Sequence, residues 1–165
     1  MNLKISLKKS TKKPSVLTIT RSDGSTTWSK LYKGLETHEL VHCAVEKTLG
    51  FGHAFYSIID KGYNVSDFEL PKAQRPFAVR PENLHAEAII TEHIVNLLEI
   101  ELLNTGLNPN FISDLKQILT ENSLVFPEQL NAQTLEKVRT QYHNLVNQWL
   151  ILENKETMNF DFTMP

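Results

Sequence analysis

The segment on which the fold depends reads THELVHCAVE and spans residues 37–46. Side chains four residues apart on a helix lie on one face, one turn above another. His38, His42 and Glu46 therefore predict a polar stripe along a helix. Thr37 is a suitable residue to cap its amino terminus. The glycines at 50 and 52 are expected to end this helix after about residue 49.

The first turns of this helix contain the pattern His-Glu-x-x-His, formed by His38, Glu39 and His42. On a helix, this pattern places two imidazoles where they bind zinc and a glutamate where it acts as a base. We therefore predict a divalent-metal site, zinc first, in a metal-dependent hydrolase. Glu39 is the predicted catalytic residue, taking a proton from a water molecule on the ion. The helix amino terminus disfavours a charged imidazole, which should keep both histidines in the form that binds metal.

A third ligand must come from another helix, because three ligands at successive turns of one straight helix span about 11 Å. Glu46 is the nearest candidate in sequence, and its alternative role is to orient His42 through a hydrogen bond. The segment 82–93 is the richest other source, since His85 and Glu92 lie seven residues apart on one helical face. The predicted metal ligands are His38, His42, Glu46, His85 and Glu92.

A second interpretation needs no metal. Acidic residues in a first helical turn complement the helix dipole, so Glu39 needs no catalytic purpose, and short motifs have many false positives. A cap at Thr37 would also place His38 at the end of the helix, where fraying loosens a ligand. The alternative is a non-enzymatic domain in which these residues cap and pack the helix. Such a domain would act by binding another protein or by forming a homo-oligomer.

The rest of the chain alternates between strand and helix patterns. Apolar residues at every second position predict strands at both ends of the chain. Asp23-Gly24, which lies between two further β-prone runs, predicts a hairpin. The predicted strands are 2–8, 16–21, 26–32 and 158–164, and the predicted further helices are 54–60, 82–103, 110–119 and 132–152. The apolar residues of 82–103 cover most of its circumference, which predicts a helix at the centre of the molecule. Residues 69–81 contain three prolines and should form an irregular loop that could cover a site.

These elements predict a single domain over residues 1–165 of the α+β class, a small antiparallel sheet packed against a helical layer. The net charge of −2 gives no general attraction to nucleic acid or to a membrane surface. Five lysines lie between residues 4 and 13, but no aromatic residue interleaves with them, so a solvated strand end is expected. No segment resembles a signal peptide or a membrane span, and Cys43 has no cysteine to pair with. We expect a cytoplasmic protein whose partner is an unknown small molecule or peptide.

One resemblance rests on Gly34, on residues 38–46 with Leu49-Gly50, and on residues 54–63. They resemble a group of uncharacterised bacterial proteins with the motif His-[Asp/Glu]-Leu-x-His-x-x-Val-Glu-x-x-Leu-Gly, followed by an aromatic pair and Gly-Trp or Gly-Tyr. The resemblance covers mainly residues 15–68 and carries no known activity. In that group Asp often stands at the position of Glu39, and a shorter carboxylate would be a poor proton shuttle. The resemblance thus implies metal binding or a structural role more than proteolysis.

Overall fold

The structure is a computed structural model that describes residues 1–164 and belongs to the α+β class. Four strands form one antiparallel sheet in the order β3-β2-β1-β4. They are β1 (Asn2–Lys8), β2 (Ser15–Thr20), β3 (Thr26–Leu31) and β4 (Thr157–Thr163). The last strand returns to pair with the first, with Leu3 opposite Phe162. The predicted carboxy-terminal strand is therefore confirmed, and it closes the chain against its own beginning.

Each strand buries alternate side chains, as the period of two in its sequence predicts. In β1, Leu3, Ile5 and Leu7 are buried while their neighbours face solvent. The predicted hairpin joins β2 to β3, with Gly24 at a φ of 83° that favours glycine. One sheet face thus contributes to the core, and the helices supply most of the remaining core residues.

Five helices form the rest of the fold: α1 (Leu35–Leu49), α2 (Phe55–Asp60), α3 (Ala86–Asn104), α4 (Phe111–Glu121) and α5 (Ala132–Ile151). α1 packs against α3 and α5 and also contacts β4. Its Leu40, Val41 and Val45 are fully buried, whereas Leu103 of α3 is 83% exposed. The predicted central position of the 82–103 helix is therefore wrong, and α1 is the central helix.

The start of α1 also differs from the prediction. Gly34 occupies the cap position with a φ of 101°, a conformation that L side chains rarely adopt. The backbone N–H of Gly34 donates to Glu36 Oε2 at 2.9 Å, and Thr37 Oγ1 donates to the Gly34 carbonyl at 2.8 Å. The predicted cap at Thr37 is wrong, and His38 lies inside the helix instead of at its frayed end.

The helix predicted from residue 82 begins four residues later. Pro81 opens a short 3₁₀ turn over Pro81–Asn83, and α3 begins only after His85, whose Nδ1 accepts the backbone N–H of Glu87 at 3.2 Å. The preceding loop contains further 3₁₀ turns at Val65–Phe68, Lys72–Gln74 and Phe77–Val79. Its three prolines limit it to such short turns, as expected. Within residues 1–164, no helix is both long and apolar enough to cross a membrane.

Candidate metal centre

The packing of α1 against α3 brings two histidines and a glutamate together. Glu92 of α3 approaches both histidines of α1: its Oε1 lies 3.2 Å from His42 Nε2 and its Oε2 lies 3.9 Å from His38 Nε2. One ligand atom from each of these three residues lies within 4.8 Å of the other two. The structure thus gathers three of the five predicted ligands, His38, His42 and Glu92, at one point.

The far side of each imidazole is held by a second carboxylate. His42 Nδ1 is hydrogen-bonded to Glu46 Oε1 at 3.2 Å, and His38 Nδ1 lies 3.3 Å from Glu99 Oε2. Both rings therefore present Nε2 to Glu92, with their centroids 4.7 Å apart. Imidazoles that bind metals through one nitrogen are commonly oriented by a carboxylate on the other. Glu46 lies behind His42, on the ring edge away from Glu92.

Glu46 is fully buried and fixes the position of His42 relative to α2. Its Oε2 accepts the backbone N–H of Tyr56 at 2.9 Å. Burial raises the pKa of Glu46, and the contact with His42 acts in the opposite direction. A buried carboxylate of this kind is stable only because it has charged and hydrogen-bonding partners.

The charge on His42 differs from the expectation drawn from the helix dipole. Burial lowers the pKa of His42, but its contacts with Glu46 and Glu92 outweigh burial and raise the pKa to about 10. In the metal-free protein His42 is an imidazolium at neutral pH, because two nearby carboxylates outweigh one helix terminus. A metal that binds Nε2 must therefore displace a proton, so binding should weaken in acid.

Glu92 remains ionised although it is partly buried. Burial raises the pKa of Glu92, but His42, and more weakly His38 and His93, lower it below its ordinary value. Its side chain is half exposed. Glu92 is thus a charged oxygen donor that is reachable from solvent.

Glu39 lies close enough to the same charged groups for them to change its pKa. Its Oε2 is shielded from solvent and has no hydrogen bond within residues 1–164. Burial raises the pKa of Glu39 to about 7; the charge of His42 opposes this, while Glu46, Glu92 and Glu69 add to it. A carboxylate with a pKa near neutrality suits proton transfer.

We expect Glu39→Gln to stabilise the metal-free protein more at about pH 8 than at about pH 4, by about 3 kcal/mol. The folded-state pKa of about 7 lies above the model value of 4.5, so the native protein holds this proton more tightly than the unfolded chain. The wild type therefore loses stability as pH rises from 4.5 to 7, and the glutamine variant lacks this loss. Urea unfolding at both pH values in the presence of a chelator measures the difference. An equal effect at both values would show that Glu39 titrates normally.

His85, one of the five predicted ligands, lies in a different group. Its ring stacks on His53 with centroids 4.3 Å apart, and Glu87 Oε2 lies 3.3 Å from His53 Nδ1. The prediction placed His85 on a helical face with Glu92, but α3 begins after His85. The second group is a poorer ligand set, because His85 Nδ1 already caps α3 and both rings are exposed.

The sequence did not predict the role of Glu99 or the apolar wall beside the centre, but it did predict that Cys43 is buried. Glu99 was missed, although it lies seven residues from Glu92 and hence on the same face of α3. Phe55, whose ring lies 6.0 Å from that of His42, and Phe68, 5.2 Å from Phe55, form an apolar wall beside the centre. Cys43 is buried, as expected, and burial raises the pKa of its thiol to about 12. Cys43 is therefore neither a ligand nor a nucleophile at neutral pH.

Comparisons with family models, with curated proteins and with solved structures found no match to this chain.

Proposed function

We propose that this protein binds one divalent metal ion, zinc first, through His38, His42 and Glu92. The observation that supports the proposal most is that both imidazoles direct Nε2 at one carboxylate while a second carboxylate holds Nδ1 of each ring. Two histidines and one glutamate are a ligand set of catalytic zinc sites, which keep a further position for water. The half-exposed side chain of Glu92 has the freedom to close on an ion at about 2.0–2.2 Å.

The charge of the centre also favours a cation. Two imidazoles lie among a larger number of carboxylates: Glu39, Glu46, Glu92 and Glu99. The excess of negative charge in a partly buried place attracts a divalent ion. A bound ion would take the place of the proton on His42 and would supply the positive charge next to Glu46 and Glu92.

We further propose that the centre is hydrolytic, with Glu39 as the base. A bound zinc ion would supply a water molecule whose pKa is lowered to about 7. Glu39, whose pKa is raised by burial to about 7 in the metal-free protein, would be the base that accepts a proton from that water. The substrate would be a small molecule or a peptide. The only cysteine is a free thiol, which fits a reducing, cytoplasmic setting.

A second candidate function has its own support. His42 already forms ion pairs with both Glu46 and Glu92, so α1 and α3 are linked here without a metal. In that case the cluster links α1 to α3 in a non-enzymatic domain that binds another protein or a second copy of itself.

Metal analysis distinguishes the two. Protein purified without a His tag should contain close to one equivalent of zinc, and His42→Ala should contain none. His53→Ala, which alters the second group, should retain the metal. If His42→Ala destabilises the protein without changing its metal content, the non-enzymatic function is favoured. Glu39→Gln should retain zinc but lose hydrolysis of any ester, phosphoester or peptide that the wild type cleaves.

A further inference from the structure

A cavity of about 720 Å³ lies at the amino-terminal end of α1, and none of the proposed metal ligands lines it. Three parts of the chain form its walls: the loop from β1 to β2, the connection from β3 into α1, and the end of α5. We call it the lysine pocket, because it is lined by Lys9, Lys12, Lys13 and Lys33.

Three of these lysines have ammonium groups that contact no protein partner in the part of the chain that the structure describes. Within the described residues 1–164, Lys12, Lys13 and Lys33 form no ion pair and their side chains form no hydrogen bond. Lys9 differs, since its Nζ donates to the carbonyls of Trp149 and Leu150 at 2.9 and 3.1 Å. The pocket therefore concentrates positive charge in a chain whose net charge is −2.

The one acidic side chain in the lining forms no ion pair with these lysines. Glu36 is buried; its Oε1 accepts Ser15 Oγ at 2.7 Å and its Oε2 accepts the Gly34 N–H at 2.9 Å. Both oxygens are thus bonded to the protein. The three free ammonium groups are left to meet an anion from solution.

The pocket also has an apolar wall. Tyr32 is 67% exposed and Leu150 is 61% exposed, and both line the cavity together with Trp149 and Pro14. The fold therefore brings aromatic residues, which do not interleave with the lysines in the sequence, next to them. A flat apolar group can pack on this wall while an anionic group reaches the lysines.

The charged wall is held in place by the rest of the fold. Backbone hydrogen bonds join Lys9 to Glu156 and Lys155, at 2.8 and 2.9 Å. The Thr11 N–H donates to Asn154 Oδ1 at 3.0 Å. A loop that is already ordered loses little entropy when a ligand binds.

We propose that the lysine pocket binds a small organic phosphate, with the phosphate among Lys12, Lys13 and Lys33 and an aromatic body against Tyr32. A phosphate dianion is favoured over a single carboxylate, because several ammonium groups meet it and each gains a charge-assisted hydrogen bond. This binding is independent of the proposed metal centre.

Calorimetric titration of the full chain with adenosine 5′-monophosphate at low ionic strength tests the proposal. Lys12→Ala combined with Lys33→Ala should weaken binding by about tenfold or more. Lys4→Ala combined with Lys137→Ala removes the same charge from exposed sites outside the pocket and should change the affinity by less than about twofold. Tyr32→Ser should weaken binding of the nucleotide but not of inorganic phosphate, and adenosine alone should not bind.

Four results would overturn the proposal. They are no binding at millimolar nucleotide, binding that survives in the pocket variant, an equal loss in the control variant, and binding of a single-stranded oligonucleotide without binding of the mononucleotide. Survival in the pocket variant would place the phosphate elsewhere, and an equal loss in the control would show a general charge effect. Preference for the oligonucleotide would indicate a nucleic-acid surface.

Discussion

Glu92→Ala should lower zinc affinity by about 100-fold or more while leaving the fold intact. Glu92 is the only carboxylate that approaches Nε2 of both His38 and His42 within the part of the chain that the structure describes. Its side chain is half exposed, so its removal opens no cavity in the core. Competition with a chromophoric zinc chelator measures the affinity, and circular dichroism checks the fold.

Two neighbouring glutamates serve as controls for Glu92. Glu99 contacts only the Nδ1 side of His38, and its replacement by alanine should reduce affinity by about tenfold. Glu87 belongs to the group of His53 and His85, and Glu87→Ala should leave the affinity unchanged. Wild-type affinity in Glu92→Ala, or a large loss in Glu87→Ala, would show that the ion does not bind on α1 and α3.

Glu46→Ala should lower the free energy of unfolding at neutral pH by about 3–5 kcal/mol. The change removes the buried partner of His42 Nδ1 and the acceptor of the Tyr56 N–H. The imidazolium of His42 is then paired with Glu92 alone, and the buried N–H of Tyr56 has no acceptor. Urea unfolding in the presence of a chelator isolates this effect from metal binding.

The effect of Glu46→Ala should depend on pH with a defined sign. The pKa of His42 is raised to about 10 in the fold, so its contribution to stability is complete below 6.5 and disappears as pH rises through about 10. The difference between wild type and variant should therefore shrink above that pH. Glu46→Gln keeps an acceptor for Tyr56 and should cost less than the alanine variant. A loss below about 1 kcal/mol for Glu46→Ala would mean that the pair contributes little.

Much of the fold is encoded in local patterns. Alternation of apolar residues predicts the first and last strands, because a strand buries every second residue whatever its neighbours are. The two middle strands are predicted by β-prone runs on either side of the Asp23-Gly24 turn. The helix ends were harder to predict. Thr37 looks like a cap from its residue type, but Gly34 takes the position because only glycine readily adopts its backbone conformation.

In the candidate site, too, local spacing predicted some of the residues and not others. The spacing of His38 and His42 predicts a shared face, since helical geometry alone sets it. Which third residue meets them depends on how α3 packs against α1, and that is not a local property. A four-residue error in the start of α3 led to the choice of His85 beside Glu92, and Glu99 was missed. The many apolar residues of α3 likewise predicted a central helix, although α1 is the helix that packs against α3, α5 and β4.

The charge of His42 shows a further limit of local patterns. Its position near a helix amino terminus favours the neutral form, but Glu46 and Glu92 raise its pKa to about 10. Glu46 could be located from the same helix, four residues on. Glu92 comes from 50 residues away, and its contribution appears only in the folded protein.

An anomalous difference map, recorded above and below the zinc absorption edge from crystals of untagged protein grown with zinc, locates the bound ion. We expect one peak between His38 Nε2, His42 Nε2 and the carboxylate of Glu92. A peak beside His53 and His85 instead, or no peak on α1 at full zinc saturation, would show that the proposed metal centre is wrong.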